Sequence, residues 1–329
     1  MTGWAVVGAG WLAVLLLTAT AAAGAEPRGV GLYLPFALSI VLFGLPHGAV
    51  DHLVLLRLDN APLRLWPLAR VLATYLAIGL TYLACWFIAP VASFVFFIAL
   101  TWFHWGQGDV HSLLALTGGR HLRSGWQRGL ALVVRGGMPM LIPLLAFPDV
   151  YLDVAGSVVG AITDEPLTFQ FSPLVRGATT FAFAGLCAVH VIAGWSASRR
   201  LGVQRDWAVD ATETALLAVF FATVHPLLAV GVYFCLWHSV RHIARIVASP
   251  PAVPSLPSVR SWPSFFVQAL PMTAIALAFL VGLYTLVPTT PSSLPDLVGL
   301  YLLLISTLTL PHVWVVARMD RAEGVWRSD

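Results

Sequence analysis

Residues 33–56 read YLPFALSIVLFGLPHGAVDHLVLL, an apolar run long enough to cross the hydrocarbon core of a bilayer as one helix. Polar residues interrupt this run at Pro-His-Gly-Ala-Val-Asp-His (46–52). Ionisable side chains are costly inside a bilayer, where they usually face the interior of a helix bundle and mark a functional site. The stretch therefore predicts a membrane helix whose inward face carries chemistry.

The same combination of an apolar run with histidines occurs in three more places. The motifs are Phe-His-Trp-Gly-Gln-Gly-Asp-Val-His (103–111), Trp-His-Ser-Val-Arg-His (237–242) and Pro-His-Val-Trp (311–314). Together with residues 46–52, they contain seven of the ten histidines of the chain. Imidazole is a common ligand of iron, copper, zinc and nickel. Four histidine clusters on four separate helices therefore predict a shared metal centre.

Composition places the whole chain among membrane proteins. Of its 329 residues, 59% are hydrophobic and 10% are charged, whereas soluble proteins have about 25% charged residues. Apolar runs of suitable length follow one another at 4–24, 33–56, 68–89, 91–115, 128–147, 173–196, 209–228, 229–248, 265–287 and 297–318. The longest polar gap lies near 148–172. We expect an all-α, polytopic membrane helix bundle of about ten transmembrane helices, forming a single integral membrane domain over residues 1–329.

The distribution of arginine favours one orientation of these helices. Loops after the even-numbered runs are rich in arginine, whereas loops after the fifth and ninth runs are acidic or neutral. Positive residues accumulate on the cytoplasmic side of membrane proteins. This predicts that both termini are cytoplasmic, in a multi-pass protein of the plasma (inner) membrane. The net charge of +3 is distributed by membrane side, so it indicates a lipid bilayer and not nucleic acid as the partner.

The predicted orientation assigns a depth to each clustered histidine. His47, His104 and His238 are expected at or just beyond mid-membrane. The others are expected nearer the cytoplasmic helix ends: His52, His111, His242 and His312. His238 and His242 are four residues apart, so they share one helix face and can bind one ion.

The spacing of residues within the motifs 46–52 and 103–111 reduces the number of side chains that could bind the same ion. His47 and Asp51 are four residues apart, whereas His47 and His52 are five apart and point in different directions. His104 and His111 lie roughly 10 Å apart along a helix, which is too far for one ion. The sequence therefore predicts the metal ligands His47, His104, His238 and His242.

Two carboxylates and three further histidines complete the candidate site. A ligating imidazole usually donates its other N–H to a carboxylate or carbonyl. Asp51 and Asp109 are predicted in this supporting role. The roles of His52, His111 and His312 stay open between structure and metal binding.

Polar residues outside the four motifs are expected to have structural roles. His121 lies in a basic loop and is predicted to be solvated, while His190 is predicted to make an interhelical hydrogen bond. His225 precedes a proline at a helix end, which is typical of a cap or an interfacial residue. Arg135 and Arg241 are expected to neutralise aspartates or to bind backbone carbonyls, and not to contact a substrate.

The four motifs, taken in this order, resemble those of a known family. Gly-Leu-Pro-His-Gly-Ala-Val-Asp (44–51), Phe-His-Trp-Gly (103–106) with Asp109 downstream, Trp-His-Ser-Val-Arg-His (237–242) and Leu-Pro-His (310–312) are similar to the Brp/Blh family of membrane β-carotene 15,15′-dioxygenases. The resemblance implies that O₂ cleaves the central double bond of β-carotene to give two retinal molecules. It also implies a retinal-accepting rhodopsin as a partner. The implied cofactor is Fe(2+), held by histidines that correspond to His47, His104, His238 and His242.

Other functional classes stay open at this level. A membrane di-iron hydroxylase or desaturase would need more histidines in denser motifs than the single His-x-x-x-His pair at 238–242. A metal or proton transporter would use the same residues without consuming a carotenoid, and a b-type haem protein would show a haem absorbance band. A retinal-binding rhodopsin is excluded, because the chain has no lysine to form a Schiff base.

Overall fold

The structure is a computed structural model that describes residues 3–164, 167, 172–249 and 256–327. These residues form eleven helices and no strand, which confirms the predicted all-α bundle. In chain order the helices are α1 (Gly3–Ala22), α2 (Gly29–Leu58), α3 (Leu65–Ile88), α4 (Pro90–Leu116), α5 (Gly125–Ala146), α6 (Pro148–Gly160), α7 (Pro173–Leu201), α8 (Gln204–Thr223), α9 (Pro226–Ala248), α10 (Trp262–Leu286) and α11 (Leu294–Glu323).

Eight of these helices are long and apolar enough to cross a membrane. Helices α4 and α8 are also long enough and coincide with predicted runs. Their sequences are too polar for them to be counted among these eight helices. Helix α8 owes its polarity to Arg205, Asp206, Asp210 and Glu213. Helix α4 owes its polarity to the residues around His104. These two helices therefore carry several of the buried polar groups of the bundle.

Helix α6 occupies the polar gap that the sequence predicted between the fifth and sixth runs. At 13 residues it is too short to cross a membrane, and it packs against α11 instead. A Cβ atom on Gly299 of α11 would lie 2.4 Å from the carbonyl oxygen of Ser157 on α6. The two helices therefore touch backbone to backbone, so α6 closes one end of the bundle beside α11.

Helices α4 and α5 also cross at backbone contact, because each presents a glycine to the other. A Cβ on Gly136 would lie 1.9 Å from the carbonyl oxygen of Trp102, and a Cβ on Gly106 would lie 2.2 Å from that of Leu132. Small residues at such crossings let membrane helices approach closely. The crossing lies within one turn of His104, so it fixes the position of the part of α4 that carries this histidine.

Helix α2 is broken where its histidines begin. A π-helical turn over Ser39–Phe43 leads into a short α-helical piece, Gly44–Gly48, which contains His47. Residues 49–50 leave the helix before it resumes as Asp51–Leu58. The break changes the relative direction of residues on its two sides, so the four-residue spacing of His47 and Asp51 does not place them on one helix face.

Helix α9 contains the second π-helical turn, Tyr233–Ser239, between the α-helical pieces Pro226–Val232 and Val240–Ala248. Turns of this kind occur often at functional sites. This one contains His238. Helix α9 lies at the centre of the bundle, whereas α1, α3, α7 and α10 lie at its periphery and expose apolar side chains, as membrane helices facing lipid do. The protein is therefore a multi-pass membrane protein with a polar interior.

Candidate metal centre

Five buried histidine rings meet in the interior, and they come from α2, α4, α9 and α11: His47, His104, His238, His242 and His312. The centroid of the His47 ring lies 5.7 Å from that of His238, 5.6 Å from that of His242 and 4.9 Å from that of His312. The ring of His104 lies 4.7 Å from His238 and 4.8 Å from His312. All four predicted ligands therefore lie in one cluster, together with His312.

Three of these rings form a group suited to one ion. His47, His104 and His238 each offer a ring nitrogen within 4.8 Å of the others. The Nε2 atoms of His104 and His238 are 3.1 Å apart. Two nitrogens that bind one ion at about 2.1 Å and near right angles stand ~3 Å apart. The spacing thus matches a pair of adjacent metal ligands.

The orientation of His47 is set by its own helix. Its Nδ1–H donates to the carbonyl oxygen of Gly44, one turn earlier. This bond leaves Nε2 free to face the other rings. Metal-ligating histidines usually have this arrangement, with one nitrogen bound to a carbonyl or carboxylate and the other to the metal.

A second group contains Asp51, His242 and His312, whose candidate ligand atoms also lie within 4.8 Å of one another. The Nδ1–H of His312 donates to Oδ2 of Asp51 across 2.7 Å. The Nε2 atoms of His242 and His312 are buried and have no hydrogen-bond partner. A buried polar atom without a partner costs roughly 1–3 kcal/mol. A metal ion bound between the rings would remove that cost, so the residues fit a metal.

His312 joins the cluster, although the sequence left its role open. It lies against Gly48 of α2, where a Cβ would lie 3.3 Å from Nδ1 of the ring. Helix α11, which carries it, continues to Glu323, beyond the predicted end of the run at residue 318. Its last turns are held by ion pairs of Arg245 with Asp320, at 2.8 Å, and with Glu323, at 3.0 Å.

The two predicted supporting carboxylates lie in different surroundings. Asp51 accepts from His312, and the Tyr75 hydroxyl lies 3.3 Å from the same carboxylate oxygen. Asp109 accepts instead from Nε1 of Trp237, at 3.0 Å, and forms an ion pair with Arg135 at 3.2 Å. None of the described histidines donates to Asp109. Asp109 is therefore linked to the histidine cluster only indirectly, through the side chains of its neighbours.

Asp109 belongs to a buried network of four charged side chains. Arg135 pairs with both Asp109 and Glu213, and Arg241 pairs with Glu213 at 2.5 Å. The Arg241 guanidinium also lies 3.9 Å from the centroid of the Trp237 ring. The predicted role of the two arginines, neutralisation of buried acidic groups, is confirmed. Because Trp237 and Arg241 flank His238 in sequence, the network holds the π-helical turn of α9 in place.

The remaining motif histidines lie at the edge of the site. Nε2 of His111 lies 3.1 Å from Oε2 of Glu323, so this histidine joins the ends of α4 and α11. His52 is half-buried and faces the cavity described below. Neither ring contacts the five-histidine cluster.

One structural prediction is wrong. His121 is fully buried, and its Nε2 lies 3.0 Å from Oδ2 of Asp210. The basic loop that carries it folds onto α8, because Arg120 pairs with Asp206 at 2.8 Å. His190 also contacts the neighbouring helix, because its Nε2 lies 3.0 Å from the same Asp210 oxygen, but this contact lacks the geometry of the predicted hydrogen bond.

The prediction for His225 as a helix cap is confirmed. Its ring nitrogen accepts from the backbone N–H of Leu227 at the start of α9, across 3.4 Å. The cap satisfies one of the backbone donors that a helix start leaves unpaired. It lies two turns or more from the histidine cluster and plays no direct part in the site.

An apolar cavity of about 320 Å³ opens onto the histidines. On one side it reaches Phe97, Trp105 and Phe234 near His104. On the other side its wall includes Tyr75. The site therefore combines nitrogen ligands with space for a hydrophobic molecule, as expected of an enzyme that acts on an apolar substrate.

A small polar cavity of about 10 Å³ touches the opposite faces of His238 and His242. Its other walls include Asp109, His111 and Arg245. A space of this size holds about one water molecule. The histidine cluster thus separates a wide apolar cavity from a narrow polar one.

Comparison with known proteins supplies the family. The model of the β-carotene 15,15′-dioxygenase family matches residues 38–320. A probable β-carotene 15,15′-dioxygenase Blh of Halobacterium salinarum is 42% identical over 326 residues, which cover 96% of this chain and 92% of the relative. A probable β-carotene 15,15′-dioxygenase Brp of the same species is 31% identical over 345 residues, covering 95% of this chain and 92% of the relative.

A β-carotene 15,15′-dioxygenase of an uncultured marine bacterium is more distant, at 24% identity over 216 residues, which cover 64% of this chain and 68% of the relative. No solved structure matches the chain. The resemblance inferred from the four histidine motifs is confirmed by these matches, which extend over nearly the whole length. The chain belongs to the β-carotene 15,15′-dioxygenase family.

Proposed function

We propose that this protein is an oxidoreductase that cleaves β-carotene at its central 15,15′ double bond with O₂ and releases two molecules of retinal. The observation that carries the proposal is a cluster of five buried histidines at the wall of an apolar cavity. Family membership and the names of the relatives support the substrate and the bond. A hydrocarbon substrate offers no hydrogen-bond handles, so shape and apolar contact must position it.

The proposed cofactor is a non-haem iron(II) ion. Its ligands are His47, His104, His238 and His242, with His312 as a fifth donor, because the Nε2 atom of His312 is buried without a partner. Ferrous iron in an all-imidazole site supplies redox chemistry with O₂ next to the polyene. The neutral ligands would add no negative charge to the buried ion.

The residues around the cluster orient the ligands and exclude water. Asp51 holds His312 in the tautomer with the proton on Nδ1, and the Gly44 carbonyl does the same for His47. The buried aromatic rings of Phe97, Trp105 and Phe234 keep the cavity apolar beside the histidines. The polyene would lie along these walls, with its central bond facing the rings.

The surroundings of the enzyme follow from the substrate. β-Carotene dissolves in the hydrocarbon of a bilayer, so we assign a single membrane domain over residues 1–329 to the plasma (inner) membrane. Retinal released there would reach a retinal-accepting rhodopsin within the same bilayer. The orientation with both termini in the cytoplasm stays a prediction from the arginine distribution.

A two-metal oxygenase is the alternative that a specific observation favours. The candidate ligand atoms fall into two groups of three, and each group suits an ion by itself. One iron per chain would support the single centre, whereas two would support a di-iron site. The first group has only neutral donors, whereas the second includes the carboxylate of Asp51, whose Oδ2 accepts from His312 and whose Oδ1 is buried without a partner.

Expression in a bacterium that accumulates β-carotene tests the proposal. We expect the C40 pigment to disappear from membrane extracts and retinal to appear in its place, as separated by chromatography. Products of other chain lengths would keep the enzyme class and reject the central bond. Unchanged carotenoid with folded, iron-loaded protein would reject carotenoid cleavage and favour a transporter.

A further inference from the structure

The residues that line the large cavity differ in how far they are exposed on the outside of the bundle. Only three of its lining residues are exposed on the outside of the bundle: Leu76 on α3 and Ile275 and Phe279 on α10. Their exposed fractions are 44%, 48% and 41%. Every other lining residue is buried or half-buried. The cavity thus approaches the surface on one side, between α3 and α10.

The packing of the helices explains this position. Helices α3 and α10 both pack against α11, and both contact the broken helix α2. In the described part of the chain they share no extensive interface with each other. A gap therefore separates them, with α11 and α2 behind it. Because both helices are apolar and peripheral, the gap faces the hydrocarbon of the bilayer and not water.

The gap leads directly to the histidines. Tyr75, the neighbour of Leu76, also lines the cavity, and its hydroxyl lies 3.3 Å from Oδ2 of Asp51. The same carboxylate oxygen accepts from His312. Two hydrogen-bonded side chains therefore connect the wall of the gap to the metal cluster.

The other walls offer no comparable route. The branch of the cavity beside α5 and α9 ends against Pro139, Met140, Pro226 and Leu227, all of which are buried. The polar cavity behind His238 and His242 has a volume of about 10 Å³, which is room for about one water molecule. Neither admits a carotenoid from outside.

The geometry points to the gap between α3 and α10 as a lateral portal through which the carotenoid enters from the bilayer. This inference rests on the proposed function for the identity of the substrate. The side chains at the rim of the portal, which control its width, are those of Leu76, Ile275 and Phe279. An apolar molecule entering here never leaves hydrocarbon, so entry avoids the cost of transfer through water.

Helix α10 offers a matched pair of positions for a test. Ala276 lines the cavity beside Ile275, whereas Ala278 is exposed and does not line it. Ala276→Trp places an indole in the portal, and Ala278→Trp places the same group two residues away on the lipid-facing side. Phe279→Ala removes a rim side chain and widens the portal. A folding defect would slow uptake by both portal variants, whereas the portal predicts that only Ala276→Trp slows it.

The measurement is uptake of β-carotene without oxygen, which separates entry from cleavage. Each protein in lipid nanodiscs is mixed with vesicles that contain β-carotene, and the carotenoid bound after removal of the vesicles is followed by absorbance. We expect Ala276→Trp to slow uptake at least tenfold, Ala278→Trp to match the unmodified protein, and Phe279→Ala to match or exceed it. Iron content should be equal in all four proteins.

Equal uptake rates in all four proteins would overturn the portal, as would equal slowing by the two tryptophan variants. Admission of air to the loaded proteins then tests the reaction by itself. Uptake that follows the expected order without retinal formation would reject the proposed function and leave the portal standing. Uptake at one rate in all four proteins, followed by retinal formation, would retain the function and reject the portal.

Discussion

Nδ1 of His312 on α11 lies 2.7 Å from Oδ2 of Asp51 on α2, and both side chains are buried. The bond joins two residues that are 261 positions apart in the chain. It selects the ring tautomer in which Nε2 is unprotonated and faces the other histidines. The carboxylate therefore determines whether His312 can bind a metal ion.

Replacement of this carboxylate by an amide tests that relationship. Asp51→Asn keeps the shape of the side chain but removes its charge, so the His312 tautomer is no longer fixed. Loss of such a partner typically costs 10–100-fold in metal affinity or activity. We expect iron content and retinal formation to fall together in that range. Tyr75→Phe, which removes only a contact of 3.3 Å, is the milder comparison and should retain its iron.

The ligand assignment predicts a sharp difference between histidines of the same chain. His238→Ala and His242→Ala should each lose bound iron and all retinal formation, because each removes a nitrogen from the cluster. His111→Gln changes a histidine that contacts Glu323 outside the cluster, and it should keep its iron. Metal analysis of the purified variants measures the iron that each of them binds. Full activity of either alanine variant would contradict the assignment.

His312 and His52 provide a second comparison, which the sequence left open. His312→Ala removes a ring that contacts His47 and His104, so we expect iron content to drop at least tenfold. His52→Ala removes a half-buried ring outside the cluster and should leave iron content unchanged. If both variants bind iron equally well, the fifth donor is not His312.

Removal of the metal provides a test that needs no mutation. Dialysis against an iron chelator without oxygen should abolish retinal formation, and added Fe(2+) should restore it. Zn(2+) binds imidazole as well but has no redox chemistry, so it should occupy the site without restoring activity. Full activity after complete removal of iron would contradict the proposed cofactor.

The crossing of α4 and α5 predicts a difference in stability between two glycines of α5. Gly136→Ala places a methyl group 1.9 Å from the Trp102 carbonyl oxygen, so the helices must separate. Overpacking of this kind typically costs about 1–3 kcal/mol. Gly129 meets nothing within 4 Å, and Gly129→Ala should be neutral or stabilising by roughly 0.5–1 kcal/mol. Thermal unfolding in detergent measures both, and an equal shift would contradict the close crossing.

The sequence was sufficient for most of the helices and for four of the five histidines that meet in the bundle, because both depend on local patterns. Apolar runs mark spans, and a histidine inside a run usually faces the interior. The role of His312 could not be settled from the pattern, since its contacts with Asp51, His47 and His104 come from other helices. No local pattern connects these residues to α11.

The burial of His121 could not be predicted from the sequence for a similar reason. Its neighbours in sequence are basic and polar, which is typical of a solvated loop. Its burial depends on Asp210, a residue 89 positions away that lies on α8 and pairs with both His121 and His190. The charges of α8 are equally non-local, because Glu213 meets its arginines from α5 and α9 only in the folded bundle.

The π-helical turn Tyr233–Ser239 allows a change in the length of α9 at one place. A π turn holds one residue more than an α-helical turn, and it absorbs this residue without rotating the helix beyond it. Deletion of a single residue inside the turn would therefore restore a regular helix and leave His242 at nearly the same angle. Deletion of Arg241, which lies in the regular helix, would instead rotate His242 by about 100° out of the cluster, although no histidine had been changed. This part of α9 should therefore accept a shorter chain inside the wide turn and not beside it.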